Sequence, residues 1–165
     1  MKFEKIIFLS IPTLLVADVV WPALYLEVRL FSWWAIGLGL VVEYFLIKPL
    51  LKLTFRQTIL YVTTVNIISA ILGIILIPLG GILWEIFPAG IYNYLFGWGT
   101  FNPVTWGGTL VLAAWINAMV EGLAYNKIFK IKIIFKSKEF WYLFLINILS
   151  VSFAFVSIWV YPVHL

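Results

Sequence analysis

The chain has 165 residues, 64% of them hydrophobic and only 11% charged, and its mean hydropathy of +1.10 lies well outside the soluble norm of about 45–50% apolar and about 25% charged residues. Cysteine is absent and the single histidine is His164, which excludes disulfides, thiolate catalysis, Cys/His metal centres and haem held by His or Cys. The net charge of +4 is carried by Lys and Arg flanking apolar segments, the pattern of a topology signal and not of a nucleic-acid surface.

Residues 1–29 form an N-terminal hydrophobic segment with two readings. Lys2 and Lys5 followed by Ile6 to Ala17 match the basic start and apolar core of a signal peptide, but no clean A-x-A site follows. Extended to Leu26, the stretch is long enough to be a first span, with Pro12, Asp18 and Pro22 inside it. Both readings leave Glu27 and Arg29 on the outer side, and cleavage of residues 1–20 stays open.

Four further apolar runs, 30–51, 58–83, 105–125 and 140–161, each have the roughly 20 residues a helical span needs. Backbone groups in lipid must bond internally, so the fold class is an all-α integral membrane protein. The turn at 48–56 carries Lys48, Lys52 and Arg56, and the turn at 126–138 carries Lys127, Lys130, Lys132, Lys136 and Lys138. Both are expected in the cytoplasm by the positive-inside bias, which places the protein in an inner or plasma membrane with its C-terminus outside. The connection 84–104 has no Lys or Arg and reads as an outer interfacial loop rich in Gly, Pro and aromatics. Trp33, Trp34, Trp106 and Trp159 then belong near the outer interface and Trp141 near the inner one.

The segments repeat. "VVEYFLIKPLLKL" from Val41 aligns with "MVEGLAYNKIFKI" from Met119, pairing Glu43 with Glu121 and Lys52 with Lys130. Further on Asn66 pairs with Asn147 and Ser69 with Ser150, after a three-residue insertion in the longer second turn. Gly73 and Ala154 follow seven positions after the asparagines. Residues at i, i+3 and i+7 share a helix face, so each stripe of Asn, Ser and a small residue is a close-packing surface for transmembrane helices. The expected architecture is one transmembrane domain over 1–165, made of two parallel-repeat hairpins, 30–83 and 105–165, related by an axis along the membrane normal.

Depth follows from helical rise. Glu43 lies nine residues from Lys52 and Asn66 ten from Arg56, while Glu121 and Asn147 each lie nine from Lys130 and Lys138, so all four sit about 13–15 Å from the basic turns, near mid-membrane. An acid there costs about 2.5–3.5 kcal/mol on insertion scales and marks a functional site by default. It keeps a charge only with a cation or hydrogen-bond donors against it, and the asparagines can donate to and orient it. Asn117, four residues before Glu121, shares its face and is expected to enrich the second site.

The leading functional reading is a small proton- or cation-linked permease or channel component with Glu43, Glu121, Asn66, Asn147 and Asn117 as its site. It works in the lipid bilayer as a homo-oligomer or beside another membrane protein, because four helices rarely enclose a path alone. The alternative is a structural or accessory subunit of a larger membrane complex. Two carboxylates can serve as acid and base, but no nucleophile motif, metal set or phosphate loop accompanies them, so neither an enzyme nor a cofactor is expected.

Overall fold

A computed structural model describes residues 23, 26, 30, 32–97 and 102–160, with the backbone alone at 158 and 159. Among these residues there are helices and turns and no strand. Four helices are long and apolar enough to cross a membrane: Trp33–Leu50, Phe55–Phe96, Pro103–Lys127 and Lys138–Ser157. The alternatives for residues 1–29 lie outside the described residues, apart from Ala23 and Leu26, which are buried in the core.

Helix α1 (Trp33–Leu50) stops where Lys52 turns left-handed, at φ 53°, and Leu53 N–H reaches back 3.1 Å to the Lys48 carbonyl. That closure satisfies a carbonyl of the last turn that has no partner within the helix. Helix α2 (Phe55–Trp84) starts at once, because Thr54 and Gln57 form a reciprocal capping box: Gln57 N–H donates to the Thr54 hydroxyl and Thr54 N–H to the Gln57 side chain at 3.0 Å. At 30 residues, α2 is about 45 Å long and outruns a hydrocarbon core of about 30 Å.

The helix then continues where the sequence reads as a loop. A π-helical turn at Glu85–Ala89 leads into α3 (Gly90–Phe96), which ends at Gly97 with φ 62°. Pro88 cannot donate a backbone hydrogen bond, and a wide turn carries the helix past it. Gly90 is needed beside that turn, since a Cβ on it would stand 2.7 Å from the Glu85 carbonyl. Proline and glycine, taken in the sequence as loop formers at 84–104, are here the residues that let the helix proceed to 96.

Helix α4 (Pro103–Lys127) is capped by Asn102, whose side-chain oxygen accepts from Val104 N–H and Thr105 N–H, both at 3.0 Å, with proline at the first helical position. It ends near Lys130, which is left-handed like Lys52, at φ 59°. Helix α5 (Lys138–Val160) starts at Ser137, whose hydroxyl accepts Phe140 N–H at 3.2 Å.

Helix α1 packs on α2 and α5, and α4 packs on the same two, closing a ring of four. The packing turns the usual rule inside out. Glu43, Glu121, Asn147, Ser69 and Thr109 are buried, whereas Phe45, Ile71, Leu83 and Phe87 stand exposed. Water would penalise so much open apolar surface; lipid does not. Trp106, read as interfacial, is buried with its ring against Phe155, while Trp33 and Trp141 are exposed.

Candidate functional site

The face that α1 turns inward carries Ala35, Gly39, Glu43 and Ile47, one residue per helical turn. Three of them are apolar or small; the fourth is an acid only 2% exposed. Across the first turn, the Asn66 amide donates both to Glu43 Oε2 and to the Val62 carbonyl, the latter at 3.0 Å. The Ser150 hydroxyl, arriving from α5, lies close to Glu43. Gly39 makes room for it, since a Cβ there would lie 2.6 Å from Ser150 Oγ. Glu43 is therefore bonded by an asparagine of its own hairpin with a serine of the other beside it.

Glu121 has the reciprocal arrangement. The Asn147 amide donates to Glu121 Oε2 at 2.8 Å and to the Leu143 carbonyl at 3.1 Å. From α2, the Ser69 hydroxyl lies 3.4 Å from Glu121 Oε1 and 3.2 Å from the Asn66 carbonyl, so its one proton is shared between them. Tyr125, one turn beyond Glu121, is also buried. The expected repeat gave it no signal, because the position it matches there is the apolar Ile47. The serines were legible only as packing residues. Their reach across to the opposite acid depends on which helices become neighbours.

The halves differ in how tightly they close. Asn147 is buried while Asn66 is half-buried, and beside Glu43 and Asn66 lies a cavity of about 200 Å³. Its walls are mainly apolar, from Leu30, Ile36 and Leu40 on one side to Ile67 and Ile77 on the other. Asn117 corrects the sequence expectation. It lines this first-hairpin cavity, with its Oδ1 beside Gly73, instead of joining the Asn147 and Ser69 bonds to Glu121. In the packing stripes, Ser69, Gly73 and Ala154 are buried and Ser150 is half-buried.

A third acid is also enclosed. Glu85, within the connection read in the sequence as an outer interfacial loop, is 3% exposed, and among the described residues neither its Oε1 nor the neighbouring Trp84 indole N–H has a hydrogen-bond partner. Among the described residues no group of three or more His, Asp or Glu gathers as a metal site. Around Glu43 a cation would meet one carboxylate plus amide and hydroxyl oxygens, the hard donors suited to ammonium or alkali-type ions and not to transition metals.

An apolar exterior, four span-length helices and an interior polar core define a polytopic helical membrane protein. Compared with family models, curated proteins and solved structures, the chain matches none.

Proposed function

We propose that this protein is a small permease or channel component that handles protons or small cations, with Glu43 and Glu121 as the ion-binding groups and Asn66 and Asn147 orienting them. The observation that carries the reading is the pair of buried acids. Each is hydrogen-bonded by an amide N–H and has a hydroxyl of the other hairpin beside it, and no basic side chain among the described residues acts on either one. Hydrogen bonds between transmembrane helices average about 0.6 kcal/mol and reach at most about 2. An intramembrane acid costs about as much or more, so adhesion alone is a weak reason to keep two of them.

We read the hairpins 30–83 and 105–165 as parallel copies of one unit. Supporting this, Lys52 and Lys130 are aligned in the repeat and share a left-handed backbone, and the buried positions Ala35, Glu43 and Ile47 recur at Ala113, Glu121 and Tyr125. On this reading the basic turns face the cytoplasm of an inner or plasma membrane and a second copy of the chain completes the path. The purified protein in liposomes, given an imposed cation or proton gradient, should show flux that falls at least tenfold in the Glu43→Gln plus Glu121→Gln protein. Flux unchanged by the double substitution would remove the proposal and leave an accessory subunit as the better account.

A further inference from the structure

The cavity is unequal in its lining. Its lining includes the oxygen acceptors of Glu43, Asn66 and Asn117, the Asn66 amide being already committed to Glu43 and Val62. The remainder is mainly aliphatic, with the hydroxyl-bearing Thr63, Ser69 and Ser150 among it. An ionised carboxylate offers about four lone-pair sites, so its bond from Asn66 leaves capacity for further donors.

Size and polarity choose between occupants. An engineered apolar cavity of about 150 Å³ stays dry and takes benzene, so about 200 Å³ here admits a benzene-sized body with one short polar substituent. A bare inorganic cation would use the oxygens and leave the aliphatic walls, which make up most of the lining, without a partner. An alcohol would supply one donor to three acceptors. A primary ammonium group supplies three N–H donors and a positive charge opposite the carboxylate.

We propose that the cavity beside Glu43 binds a small organic ammonium ion, a primary amine on a compact apolar body, with Glu43 as its counter-ion and Asn66 and Asn117 as further acceptors. This rests on the reading of Glu43 as a cation site and specifies the cation. The second hairpin has no part in the ligand contact beyond Asn117 and Ser150. In the matched register it carries Phe144 where the first has Thr63 and Val151 where the first has Ala70, and both Phe144 and Val151 are buried.

Benzylamine binding to the protein in nanodiscs of zwitterionic lipid, measured by isothermal titration against empty nanodiscs, tests this with benzyl alcohol as the uncharged probe of the same shape. Benzylamine should bind at least tenfold more tightly than benzyl alcohol. Glu43→Gln should reduce benzylamine affinity at least tenfold, Ala70→Leu should abolish binding by occupying the space, and Glu139→Gln, at an exposed acid, should change it less than twofold. Equal affinity for amine and alcohol would overturn the proposal, as would full retention of binding in Ala70→Leu, which keeps the test decisive even where Glu43→Gln fails to fold. Acid-dependent flux in liposomes without benzylamine binding would overturn this inference and spare the proposed function. Binding without flux would do the reverse.

Discussion

The two hairpins hold the same side chains in the same relation and yet enclose them differently. In the second, Glu121 and Asn147 are each 1% exposed, and aromatic rings crowd the space between α4 and α5. Trp115 meets Phe144 at 5.1 Å and Phe140 at 5.5 Å between ring centroids. In the first, the positions that the proposed repeat matches to Trp115 and Phe144 are Gly37 and Thr63, and a cavity of about 200 Å³ remains beside the acid. The polar pair of the second hairpin is sealed among rings, and that of the first borders a space. On the proposed reading the first pair has room for a ligand and the second holds the bundle.

The largest test of that contrast is to open the sealed half. Phe144→Ala removes a buried ring that Trp115 leans on and should cost about 3–5 kcal/mol, read as a fall in the unfolding midpoint in detergent. A cost below about 1 kcal/mol would mean that the second half is no better packed than the first.

Next in size is removal of each acid. Glu121→Ala leaves the buried Asn147 amide and its cavity without a partner and should destabilise by about 3 kcal/mol, since an orphaned buried polar group costs about 1–3 kcal/mol. Glu43→Ala frees a half-buried Asn66 that water in the cavity can satisfy, so the loss should be about 1 kcal/mol smaller. Equal losses measured by the same unfolding assay would erase the distinction.

Gly39→Ala probes the join between the halves. Its Cβ would press on Ser150 Oγ and turn that hydroxyl away from Glu43, at about 1 kcal/mol, within the 1–3 kcal/mol range for overpacking. Ser150→Ala in the same chain should recover most of it in a double-mutant cycle. Additive losses would show that Ser150 does not sit under Gly39. The smallest effect belongs to Ser69→Ala. Its hydroxyl is 3.4 Å from Glu121 and shares its proton, so the change should stay within about 0.6 kcal/mol, the average for an intramembrane hydrogen bond.

Much of this is legible in the sequence. Apolar runs of span length give the class, and the helical rise from the basic turns puts Glu43 level with Asn66 and Glu121 level with Asn147. Those estimates rest on local periodicity, which a helix obeys whatever surrounds it. The segment 84–96 was misread because proline and glycine interrupt helices on average, and only the local π turn shows that here they do not.

By itself, then, the sequence determined the all-helical class, the span-length runs and the levels that bring Glu43 to Asn66 and Glu121 to Asn147, all of which follow from composition and from fixed rise per residue. Tertiary structure alone decided that Ser150 serves Glu43 and Ser69 serves Glu121, that Asn117 lines the first hairpin's cavity, and that one half is filled with rings while the other keeps a space. Those outcomes depend on which helices become neighbours and how each is rotated about its axis. Rotation is set by the packing of many side chains at once, which no single run of sequence contains.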